Sequence, residues 1–199
     1  MGLQDRNDDS SYKNKIANLS DLFFNGSAPN TADKTEEVYF MSKTHGEVHK
    51  GNTFSSSNLF TGVADSGSVD TKIQTNSTNI HIIFLIRSTG QAEVEIYNGS
   101  TFTDNGTEID STNRKFPTDP PKTATAKTYI NPTIDTLGTL QTEEFIPGES
   151  QRGNVVVGGE ADLREEFIFS ENTEPLLRVT NTSGQDNQKI FVKYIWYEN

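Results

Sequence analysis

Asn79-Ile80-His81-Ile82-Ile83-Phe84-Leu85-Ile86-Arg87 is the stretch on which the fold turns. Ile80, Ile82, Phe84 and Ile86 alternate with His81, Ile83, Leu85 and Arg87, so both faces of an extended chain are largely apolar. That pattern predicts a central strand covered on both sides. After Ser88-Thr89-Gly90-Gln91, Ala92, Val94 and Ile96 alternate with Glu93, Glu95 and Tyr97, which leaves one face in water. The two runs and the turn between them predict a hairpin.

Farther along, Ile190, Val192, Tyr194 and Trp196 share a face opposite Phe191, Lys193, Ile195 and Tyr197. A strand this apolar belongs inside a sheet and ties its end of the chain down. Shorter extended runs are expected at 38–41, 47–50, 69–75, 124–131, 137–146, 165–169 and 175–180. That makes about ten strands with no fixed-length repeat, the pattern of a jelly-roll-like two-sheet β-sandwich. Residues 113–122, with Pro117, Pro120 and Pro121, cannot be an interior strand. A long irregular segment inside a compact domain is usually functional.

Composition agrees with an all-β chain. The 199 residues include 24 Thr, 17 Ser and 18 Asn, which favour turns and strand edges over helix interiors. Only 32% are hydrophobic while 10% are aromatic, so the core is sparse and built on large rings. The absence of cysteine excludes disulfides, cysteine–zinc sites and thiol chemistry. A net charge of −11 argues against nucleic acid or an anionic membrane as partner. No apolar run is long enough to span a bilayer, and the first residues carry no secretory h-region.

One helix is expected, over 11–24. Tyr12, Ile16, Leu19 and Phe23 recur at the spacing of one helical face, Ser10 or Ser11 can cap its start, and Gly26 can end it. A helix of about 14 residues is marginal alone, so this stripe must dock on its own domain, a neighbouring subunit or a partner. The chain thus divides into an N-terminal arm, 1–36, and a β-sandwich domain, 37–199.

Chemistry-bearing patterns are sparse. His45-Gly46-Glu47-Val48-His49 lacks the zinc-protease order, and on a strand the two imidazoles would stand about 13 Å apart, too far to share an ion. His81 lies within the strongest strand and reads as a packed histidine. No G-x-S-x-G elbow is present. The carboxylates Glu143-Glu144 and Glu165-Glu166, and Asp104 with Glu108 and Asp110, are what an acidic chain produces by chance, and the last group lacks EF-hand spacing. No catalytic residue, cofactor site or metal site is therefore expected.

The order of motifs does resemble a known family. Glu47-Val48-His49-Lys50-Gly51-Asn52-Thr53-Phe54 precedes the apolar strand, followed by Ala92-Glu93-Val94-Glu95-Ile96-Tyr97-Asn98-Gly99 and Asn113-Arg114. Then come Tyr129-Ile130-Asn131-Pro132-Thr133, the glycines at 153, 158 and 159, and Arg164-Glu165-Glu166-Phe167. Asn172-Thr173, Leu177-Arg178-Val179-Thr180 and Tyr194-Ile195-Trp196-Tyr197-Glu198 complete the series. Over about residues 45–199 this resembles small tailed-bacteriophage virion proteins that decorate or cement the capsid shell. The resemblance implies a non-enzymatic structural protein without cofactors, made in the host cytoplasm and carried on the capsid surface. It also implies the major capsid protein as partner and a homotrimer at local threefold positions. The arm residues Tyr12, Ile16, Leu19 and Phe23 are the candidate partner-binding set. Two other readings are a head–tail joining component and a carbohydrate-binding sandwich of a tail fibre or adhesin, with Tyr97, Tyr129, Trp196 and Tyr197 as sugar platforms.

Overall fold

The computed structural model describes residues 43–116, 122–147, 159–161 and 166–198. The expected arm helix with Tyr12, Ile16, Leu19 and Phe23, the expected strand at 38–41 and the prolines of 117–121 lie outside the described residues.

Among the described residues one helix, α1 (Lys43–Lys50), leads into fourteen strands. In chain order these are β1 (Thr53–Val63), β2 (Ser68–Gln74), β3 (Ile80–Ser88), β4 (Ala92–Asn98), β5 (Thr101–Asp104), β6 (Thr107–Ile109) and β7 (Thr112–Asn113). They continue as β8 (Lys127–Ile130), β9 (Thr133–Thr136), β10 (Thr139–Ile146), β11 (Gly159–Ala161), β12 (Phe167–Phe169), β13 (Leu176–Asn181) and β14 (Gln188–Glu198).

The strands form two antiparallel sheets. Sheet A runs β11-β3-β14-β1-β7, with β12 also on β3; sheet B runs β10-β4-β13-β2-β8-β6. The chain changes sheet at β1→β2, β2→β3, β3→β4, β6→β7→β8, β10→β11 and β12→β13→β14. Two four-stranded sheets, β12-β3-β14-β1 and β10-β4-β13-β2, joined by such crossings make a jelly roll.

Several local expectations change. β3 and β4 are not a hairpin: β3 pairs with β14, β11 and β12, whereas β4 pairs with β10 and β13. Their connecting turn passes between sheets because side chains from the next crossing hold it there. Ser88 Oγ donates to Gln188 Oε1 at 2.7 Å, and Gln188 Nε2 donates to the Gln91 carbonyl at 3.0 Å.

Residues 47–50 are helix, not strand. Gly51, at φ 75°, takes the left-handed conformation that closes the helix, with its N–H on the Val48 carbonyl. His49 and Lys50 sit in the last turn, where cations suit the dipole. The run expected at 137–146 is strand β10 from Thr139 onward, separated from β9 by the close approach at Gly138. A Cβ there would stand 2.3 Å from the Asn98 carbonyl oxygen, so only glycine lets the two backbones approach.

The core lies between the sheets. Ile80, Ile82, Phe84 and Ile86 of β3 and Ile190, Val192, Tyr194 and Trp196 of β14 meet Ala92, Val94 and Ile96 of β4 and Val179 of β13. Phe84 packs edge-on against Tyr194 and Phe167, at 5.4 and 5.6 Å between ring centroids. Two buried hydroxyl pairs tie the layers together: Thr71 with Tyr194, and Thr128 Oγ1 donating to Ser56 Oγ at 2.8 Å. The loop-rich middle of the sequence extends the sandwich edges, since β8 and β6 continue sheet B beyond β2 while β7 joins β1.

Candidate interaction surface

Residues paired across an antiparallel ladder share a face, so the register shows what each sheet turns outward. In sheet B the outward rows are mainly charged groups that pair with one another, with two exposed apolar side chains, Leu140 and Phe145, on the edge strand β10. Arg178 Nε and Nη2 donate to Asp70 Oδ1 and Oδ2 at 2.8 and 3.0 Å, a bidentate pair that raises the pKa of the guanidinium. Glu95 lies beside Arg178 in register and accepts the Tyr97 hydroxyl proton at 2.7 Å. Burial, that hydrogen bond and the negative charge of Glu95 push the Tyr97 phenol up to about 12. Glu93 is pushed upward by its hydrogen bond to Glu143 on β10, with burial and Glu95 adding to it.

One outward row of sheet B is roofed. Leu176 and Lys72 point to the outer face yet are fully buried. The Lys72 ammonium lies 2.7 Å from both Asn105 Oδ1 and Glu174 Oε2, and 4.1 Å from the centroid of Phe102 on β5. β5 and β9 pair only with each other and place that ring over the row.

Sheet A is different. Its register places Leu59, Phe191 and Arg87 in one outward row, Ser57, Lys193 and Leu85 in the next, and Ser55, Ile195 and Ile83 in a third. A fourth row holds Thr53, Tyr197, His81 and Ile168. Ile83, Leu85, Phe191 and Ile195 are only half-buried, while Leu59 is 55% and Ile168 64% exposed. A solvated outer face normally alternates to polar residues, so an apolar strip running over four strands is the candidate interaction surface.

A polar corner ends this strip. His81 stacks on Tyr197, centroids 4.5 Å apart and planes within 10°, and His81 Nδ1 lies 3.0 Å from Glu166 Oε1. The two atoms are close, but their alignment makes no hydrogen bond. Burial first, then the hydrogen bond to Glu166 and the charges of Glu166 and Glu47, raise the Tyr197 phenol well above its ordinary value. The cavity beside them, lined by Thr53, Ile195 and Trp196 among others, is about 10 Å³, room for one water molecule. Thr53 Oγ1 and His81 Nδ1 both lack a hydrogen-bond partner there, which suits such a water.

The other sequence candidates are scattered. Trp196, Tyr197 and Tyr129 are buried, and Tyr97 is half-buried with its hydroxyl committed to Glu95, so these four rings form no sugar platform. Asp104 caps a turn through the Gly106 N–H, and Glu108 pairs with Lys127 at 3.0 Å. Glu143 and Glu144 point to opposite faces of β10, as neighbours on a strand must. Glu165 lies outside the described residues. His45 and His49 are brought together by α1, against the expectation of a strand, with Nε2 atoms 3.0 Å apart.

The sheet A strip was the feature sequence reasoning passed over. Its signal was present in the doubly apolar β3 and in the alternate residues Phe191 and Ile195 of β14. No protein-family model and no curated protein matches this chain.

Proposed function

We propose that this protein is a non-enzymatic structural component of a phage particle, a decoration or cement protein that binds the capsid surface and reinforces contacts between capsomers. The observation that carries the reading is the apolar outer face of sheet A. A stiff sandwich with one mainly charged, internally paired face and one apolar strip running over four strands suits seating on a lattice. The family resemblance supplies the lattice: the major capsid protein, met by a homotrimer at local threefold positions. The arm bearing Tyr12, Ile16, Leu19 and Phe23 serves as a second attachment, reaching a neighbour.

The test is co-sedimentation with purified shells. Fully covering an exposed Phe or Ile contributes on the order of 1.5–3 kcal/mol. Phe191 and Ile195 already have roughly two thirds or more of their surface covered, so at most about a third of that remains for each, and in the variant the cost of burying an unpaired carboxylate adds to it. Replacing both by Glu is expected to weaken shell binding about 10- to 100-fold. Far-UV circular dichroism and Trp196 emission check that the variant is folded. Unchanged binding by the folded variant rejects this face as the contact. Hundreds of copies per particle are expected, whereas a handful would point to head–tail joining.

A further inference from the structure

We propose that His45 and His49 form a two-imidazole chelate for a divalent transition metal, with Cu²⁺ the best fit and Ni²⁺ next. α1 sets the geometry: residues four apart stand one above the other on a helix, and here the rings meet edge to face with centroids 4.7 Å apart. Both side chains are exposed, and Gly46 between them leaves open space where a side chain would project.

The spacing of the donors lets both reach one ion after a small turn of the rings, and the affinity order for imidazole sites ranks the metals. Two nitrogens 3.0 Å apart, each about 2.05 Å from an ion, subtend an angle of roughly 95° at that ion. That is the adjacent-ligand angle of a tetragonal or octahedral site, as Cu²⁺ and Ni²⁺ take with nitrogen donors. Imidazole suits both ions, and the affinity order for a given site favours copper.

The exchange balances without a further reactant. In the free protein one Nε2–H donates to the other Nε2. On binding, each ring holds its proton at Nδ1, both Nε2 lone pairs go to the metal, and the ion gives up two of its waters. Glu47 is not a third ligand, because its buried carboxylate accepts from Lys50 Nζ at 2.9 Å and Asn52 Nδ2 at 2.8 Å. The remaining coordination positions are filled by water.

The experiment is a Cu²⁺ titration of the full-length protein, followed by calorimetry and by electron paramagnetic resonance. The wild type is expected to bind one ion per chain with a signal split by two nitrogen donors. Because the second imidazole binds intramolecularly, His45→Ala and His49→Ala should each lose affinity on the order of 100-fold. The His45→Ala/His49→Ala double variant defines the background of the rest of the chain. Both single variants falling towards that background supports the chelate. Retention of wild-type affinity by either single variant, or a one-nitrogen signal in the wild type, overturns it.

Discussion

Replacing Glu174 by Ala strands a buried cation, and the size of the effect follows from where each partner sits. The Lys72 side chain is 0% exposed, while that of Glu174 is 32% exposed. In Glu174→Ala the ammonium keeps only the Asn105 amide oxygen and the faces of Phe102 and Tyr129. Removing one member of a buried pair costs 3–5 kcal/mol, and solvent reaching Glu174 places this case at the low end, about 3 kcal/mol. In a chain of this size that lowers the thermal midpoint by about 6–12 °C. Lys72→Met behaves differently, because it removes the charge that had been desolvated and leaves Glu174 free to turn to water. Its cost is about 1 kcal/mol. Urea unfolding followed by the emission of Trp196, the lone and fully buried tryptophan, measures both variants. If Lys72→Met proves as costly as Glu174→Ala, the account of a desolvated cation held by its counter-charge is wrong.

Two further outcomes follow from the polar contacts. Tyr194→Phe leaves the buried Thr71 hydroxyl without its partner across the sandwich and is expected to cost about 1–2 kcal/mol in the same unfolding assay, although it removes a single oxygen. Glu93→Gln tests the carboxyl pair on the outer face of sheet B. A folded pKa raised by Glu143 gives stability that is present below the unfolded carboxylate value and lost as pH rises through the folded one. The variant, blind to that titration, is therefore expected to gain on the wild type in thermal midpoint between pH 4 and pH 7; a gap that narrows with rising pH contradicts the shared proton.

Where burial followed a simple period, the sequence was legible. β3, β4, β13 and β14 lie close to where alternation put them, and the jelly roll is the architecture that composition and turn spacing suggested. β1 was invisible because its sequence, Thr-Phe-Ser-Ser-Ser-Asn-Leu-Phe-Thr-Gly-Val, carries few apolar residues. Its inward side uses Ser56, whose hydroxyl is matched by Thr128 from the opposite sheet, and no local pattern discloses a partner 72 residues away. The hairpin expected from β3 and β4 failed for a similar reason: Gln188 decides where that turn goes, and it lies 100 residues from Ser88.

The histidine pair shows how one misread element carries over into chemistry. Residues 47–50 lack an apolar stripe, so nothing in their periodicity announced a helix, and the metal question was settled by strand spacing. The helix is specified instead by its ending at Gly51 and by Glu47, which holds Lys50 and Asn52. The apolar strip on sheet A was legible as residues but not as a surface. A strand with two greasy sides looks the same in sequence whether its second side meets a layer of its own chain or another molecule.

The place of β14 between β1 and β3 has a consequence for how the molecule is made. Both neighbours leave the ribosome long before residues 188–198, and at 5–20 residues per second the 100 residues after Ser88 take roughly 5–20 s to synthesise. Throughout that interval two strands destined for the same sheet present bare edges with nothing between them. Sheet A therefore cannot complete its ladder until the keystone strand is made, and the dense Ser, Thr and Asn content of the chain works against misdirected edge pairing in the meantime.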